Sequence, residues 1–102
     1  MIRVVARYRV KPDRVEENES LVRDVYSELA EARPDGLSYA TLKLDDGVTF
    51  VHISLDPADT EPLPGFDAFQ RFLADLPDRC EEPPYVRRAE VVGSYGWEGA
   101  FD

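Results

Sequence analysis

The stretch Val48 to Leu55 reads VTFVHISL and follows the triplet Asp45-Asp46-Gly47. β-Branched and aromatic residues in period-two alternation fit a pleated strand better than a helix. An Asp-Gly pair supplies the positive φ angles of a tight hairpin turn. Leu37 to Leu44, on the other side of that turn, also alternates. The middle of the chain is therefore an antiparallel hairpin, and its second strand carries the only histidine, His52.

The flanks repeat one theme. Ile2 to Val10 alternates and ends at Lys11-Pro12, because proline cannot donate to a strand ladder. Asp13 with Glu16 reads as an N-cap and its reciprocal acid. Val15, Leu21, Val22, Val25, Tyr26, Leu29 and Ala30 then form one helical stripe, which Asn18 continues near its start. Pro34 and Gly36 stop the helix. After the hairpin, 56–64 (DPADTEPLP) is an acidic, proline-rich connection over the surface, with a lid over a pocket as the other reading. A second helix is expected from Gly65 to Glu82 on Phe66, Phe69, Phe72, Leu73 and Leu76, kinked or restarted near Pro77. A last strand is expected within Tyr85 to Tyr95, best from Arg88 onward. The tail brings Trp97 and Phe101, two large rings expected to be docked.

The order strand, helix, strand, strand, helix, strand is the split βαβ, or ferredoxin-like, α+β arrangement. It predicts one domain over 1–102, with a four-stranded antiparallel sheet in strand order 4-1-3-2 and two helices on one face. The more apolar sheet residues (Val4, Ala6, Tyr8, Ala40, Leu42, Val51, Ile53, Leu55 and Val91) are expected to meet the helices. Arg7, Arg9, Tyr39, Thr41, Phe50, His52, Glu90, Val92 and Ser94 are expected on the opposite face. That second face is too apolar to lie open to water, and a second copy of the sheet would cover it.

A net charge of −9 opposes binding to nucleic acid or to anionic membranes, which need a basic surface. No apolar run is long enough to cross a membrane, and MIRVVARYRV reads as a strand rather than a signal peptide, so a cytoplasmic protein is expected. The lone Cys80 cannot form an internal disulfide. With one histidine it cannot build a Cys/His zinc site either. No phosphate loop, nucleophile elbow or metal motif is present, and no metal or cofactor is expected.

The RYRVKP opening, the PDG turn, the DDGVTFVHIS hairpin and the FDAFQRFL helix resemble the antibiotic biosynthesis monooxygenase-like family of the dimeric α/β barrel superfamily. The resemblance covers about Ile2 to Tyr95. It implies a homodimer with sheets packed face to face and a cavity beside each sheet or at the seam. It also implies, for some members, oxidation of hydrophobic aromatic phenols by molecular oxygen without metal or flavin. The haem-degrading branch is less similar, since strand one here lacks an asparagine.

Within that frame His52 is the expected base or proton shuttle, its ordinary pKa being near neutrality. Arg7 is expected to stabilise an oxyanion or, alternatively, to pair with Glu90 across strands. Tyr39, Phe50, Thr41 and Trp97 are the expected substrate contacts. Two functions stay open: a cofactor-independent monooxygenase acting on a hydrophobic aromatic small molecule, or a non-catalytic small-molecule-binding or structural homodimer.

Overall fold

The computed structural model describes residues 2–56 and 61–97. Its elements run β1 (Ile2–Arg9), α1 (Val15–Ala32), β2 (Ser38–Lys43), β3 (Thr49–Asp56), α2 (Asp67–Ala74), α3 (Leu76–Arg79) and β4 (Tyr85–Arg88). All strand pairs are antiparallel and the sheet order is β2-β3-β1-β4, the expected ferredoxin-like topology. The histidine strand is thus interior, paired on both edges.

The start of the first helix differs from expectation, while its stop before Pro34 and a restart near Pro77 follow it. Pro12–Arg14 forms a 3-10 turn, so α1 starts at Val15 and Asp13 lies ahead of it without capping it. Arg14 makes the local ties instead. Its guanidinium reaches Glu17 at 2.7 Å and Asp75 at 2.6 Å, pinning the start of α1 to the junction of α2 and α3. At the other end Arg33, at φ 48°, takes the left-handed position usually given to glycine. Its N–H closes on the Leu29 carbonyl at 2.8 Å, and Pro34 forbids continuation. The second helix restarts near Pro77 as expected: α2 stops at Ala74, and Pro77 sits in the first turn of α3, where its missing N–H costs no hydrogen bond.

β4 is displaced from the expected strand. It covers Tyr85–Arg88, and the expected strand residues from Ala89 to Tyr95 lie beyond it. The reason is visible in the side chains. All four β4 residues are exposed, so an edge strand of this kind carries no apolar alternation to read.

Register decides the sheet faces, because directly opposed residues share a face. His52 stands between Ala6 and Thr41, Phe50 between Tyr8 and Lys43, and Ser54 between Val4 and Tyr39. These residues lie under the helices with Val22, Val25, Phe72 and Leu76. Val5, Arg7, Ala40, Leu42, Val51 and Ile53 share the outer face. The expected assignment holds for β1 and is reversed for β2 and β3. Apolarity misled it because the outer positions of β3, Val51 and Ile53, are more hydrophobic than the inner His52 and Ser54.

Candidate functional site

The inner sheet face and the helices enclose an apolar cavity of about 280 Å³. Ala6, Tyr8, Tyr39 and His52 form its floor, Phe69, Phe72 and Leu76 its roof, and Glu61, Pro64, Leu73 and Val86 its partly exposed rim. The volume is close to the lower bound for small-molecule sites. One end is polar.

That end is a continuous hydrogen-bonded chain. Arg79 Nε donates to Asn18 Oδ1 at 3.1 Å, and Asn18 Nδ2 donates to the Tyr8 hydroxyl at 2.9 Å. The Tyr8 hydroxyl meets His52 Nε2 at 2.7 Å. The other ring nitrogen, Nδ1, meets the Tyr39 hydroxyl at 2.6 Å and Thr41 Oγ1 at 3.1 Å. Thr41 Oγ1 in turn lies 2.8 Å from the Tyr26 hydroxyl. The chain runs from α3 through α1 and β1 to β3 and β2, with α1 and β2 each supplying two of its links.

Packing holds these groups in place. Phe50 stacks on Tyr8 at 5.5 Å with planes 10° apart, and Tyr26 stacks on Tyr39 at 5.3 Å. Phe72 covers the His52 ring at 5.3 Å. Asn18 and Arg79 are fully buried, and the guanidinium also donates to the Phe72 carbonyl at 2.8 Å and lies over the Phe72 ring. Its Nη1 has no hydrogen-bond partner among the described residues.

Burial sets the charge states. It lowers the His52 pKa to about 4, so the ring is neutral at cellular pH. It raises the Tyr8 and Tyr39 phenols well above their ordinary value, against the opposing pull of the Asn18 hydrogen bond on Tyr8. The hydrogen-bonded chain is therefore an uncharged array of donors and acceptors with one buried cation at its far end, while the carboxyl groups of Asp56 and Glu61 line the cavity elsewhere.

No known protein family's profile matches the chain, and no curated protein does. Solved structures do match. An antibiotic biosynthesis monooxygenase is 19% identical, over 91% of this chain and 100% of its own, with a TM-score of 0.70. A Nitrosomonas europaea protein named as a candidate antibiotic biosynthesis monooxygenase is 16% identical over 91% and 100%, with a TM-score of 0.74. A Caulobacter crescentus protein named in the same way is 22% identical over 90% of each chain, with a TM-score of 0.67. The chain has the fold of the antibiotic biosynthesis monooxygenases. Identities this low carry the fold of that group and not its chemistry.

Against this fold the expected site residues separate. His52 and Tyr39 line the cavity and touch each other. Thr41 bonds to His52 from behind, and Phe50 is buried beneath Tyr8, so neither is cavity lining. Arg7 lies on the outer face, opposite Val51 and Tyr85, with its guanidinium 5.9 Å from the Tyr85 ring. The residue opposite His52 is Ala6, one position earlier, so Arg7 cannot serve a group held by His52. Its β4 neighbour is Tyr85, not Glu90. Trp97 is 56% exposed and stands outside the cavity wall, and Phe101 lies outside the described residues. The connection expected over 56–64 is described only at Asp56 and from Glu61 onward, where Glu61 to Pro64 border the cavity.

Sequence reasoning passed over Tyr8, Asn18 and Arg79 as site residues. One signal was present. Asn18 interrupts an otherwise apolar helical stripe, and a buried amide must have hydrogen-bond partners. Arg79 carried no such signal, because its burial depends on how α3 turns after Asp75.

Proposed function

We propose that this protein is a cofactor-independent monooxygenase for a flat, hydrophobic aromatic molecule bearing a phenol or carbonyl oxygen on its ring system, acting as a homodimer. The observation that carries the reading is the pairing of an apolar cavity with the His52–Tyr39 hydrogen bond at its inner end. The ring system would lie against Phe72 and Phe69, and its oxygen would rest on the Tyr39 hydroxyl. Such a donor, already oriented in a water-poor cavity, stabilises negative charge on that oxygen. A neutral imidazole behind it polarises without adding a charge, as in other enzymes where histidine acts uncharged. Loss of a proton to water would leave the substrate as its anion, the anion would give an electron to oxygen, and recombination with return of a proton would form a hydroperoxide. Loss of water from the peroxide would leave a carbonyl where the ring carried two hydrogens. One oxygen atom enters the product, the other leaves as water, and the four electrons come from the substrate carbon. The fold shared with monooxygenases supports the reaction class.

A second reading has its own observation. Both nitrogens of His52 are already hydrogen-bonded within the protein, which suits a binding site without turnover. Oxygen uptake with an anthrone separates the two. The enzyme reading expects consumption above the uncatalysed rate, lowered roughly 100-fold in kcat by Tyr39→Phe, the loss typical of one such donor. Binding of the anthrone without oxygen consumption would leave the binding module.

A further inference from the structure

We infer that Arg79, acting through Asn18 and Tyr8, fixes the His52 proton on Nδ1, so that Tyr39 serves the cavity as a hydrogen-bond donor and selects ligands with a bare oxygen acceptor. This rests on reading the cavity as a ligand site, but not on its being catalytic.

The argument follows the protons from the buried end. A guanidinium has only donors, so the amide atom 3.1 Å from Arg79 Nε is the oxygen of Asn18. Asn18 therefore turns its NH2 toward Tyr8, 2.9 Å away. The Tyr8 oxygen already accepts there. Its own proton has one acceptor in hydrogen-bond reach among the described residues, His52 Nε2 at 2.7 Å. A neutral ring that accepts at Nε2 carries its proton on Nδ1. That proton goes to the Tyr39 oxygen at 2.6 Å, with Thr41 Oγ1 the weaker alternative at 3.1 Å. The Tyr39 hydroxyl proton is then turned away from His52. It can then pass to a ligand oxygen in the cavity, which Tyr39 lines.

Every link thus points the same way, from the buried cation toward the cavity. The orientation is set where no solvent competes, since Arg79 and Asn18 are both 0% exposed. Arg79 and Asn18 touch no ligand; they are positioning residues. The ligand class follows. A carbonyl, enolate or phenolate oxygen matches the Tyr39 end, and a molecule of the same shape without an oxygen does not.

His52 is the only histidine, so its ring nitrogens give one set of signals in a long-range proton–nitrogen correlation spectrum of labelled protein near neutral pH. The wild type should show Nδ1 protonated and Nε2 bare. In Asn18→Asp the new carboxylate accepts from both Arg79 and Tyr8, which frees the Tyr8 oxygen only as an acceptor, and the ring should switch to Nε2–H. Tyr8→Phe, which removes only an oxygen, should end the single pinned form if Asn18→Asp does not fold. Binding of 9-fluorenone and fluorene, two flat probes differing by one carbonyl, is measured alongside. The wild type should favour fluorenone by roughly three- to ten-fold, the worth of one net hydrogen bond, and Asn18→Asp should abolish the preference. Nε2 protonated in the wild type, or Nδ1–H persisting alone in both variants, overturns the inference. Equal binding of the two probes by the wild type overturns its ligand class. Absent oxygen uptake with the tautomer as stated removes the monooxygenase and leaves this inference standing.

Discussion

At the residue scale the decisive group is His52, and its behaviour is set by desolvation rather than by a charged neighbour. The groups that face it are Tyr8, Tyr39, Thr41 and Phe72, all uncharged. A proton added to this ring would have to leave water for a site without a carboxylate partner. The folded pKa, about 4, lies below the ordinary histidine value, so the unfolded chain binds the proton more readily. The stability His52 contributes is therefore complete above about pH 6.5 and is lost as pH falls through the window down to about 4. At pH 5 the loss from this one group is about 2 kcal/mol. A nitrogen-shift titration should show His52 still neutral at pH 5. In urea unfolding, His52→Gln should lose less stability than the wild type between about pH 7 and about pH 5. A midpoint near the ordinary histidine value would mean that water reaches the ring.

At the element scale, α2 acts as the roof. It is eight residues long, too short to be stable by itself, and depends on packing and on an unusual cap. The Ala68 N–H at its start is satisfied by the Glu28 carboxylate of α1 at 3.1 Å. Glu28→Ala should cost about 1 kcal/mol, as the loss of a cap does. Phe72→Ala, which removes the ring over Tyr8, His52 and Arg79, should cost about 3–5 kcal/mol and enlarge the cavity. Thermal or urea unfolding checks both. Element order was legible in the sequence because period-two and helical spacing rarely conflict here. The faces of β2 and β3 were not, because Val51 and Ile53 look like core while His52 and Ser54 look like surface. Only register, which needs β1 beside β3, brings Ala6 opposite His52 and sends Arg7 to the other side. The hydrogen-bonded chain was equally hidden, since its members come from five elements whose proximity no local pattern encodes.

At the scale of the whole molecule, the surface that stands out is the outer sheet face. Val5, Val51 and Ile53 are only half-buried there, and Leu42 is exposed. The homodimer proposed above would cover it. Sedimentation should then give a dimer for the wild type and a monomer for Val51→Arg, which places a charge at the centre of that face; a wild-type monomer would remove the dimer from the proposal. The strand order has another consequence. β1 precedes the other three strands in the chain, yet it lies between β3 and β4, so its two edges close only against residues some fifty and eighty positions later. Contacts of such long range slow folding, and an early strand with open edges invites mispairing. During synthesis the β2–β3 hairpin can form while the chain is still emerging, whereas β1 waits for Tyr85–Arg88. The strand that comes earliest in this fold is among the last to find both its partners.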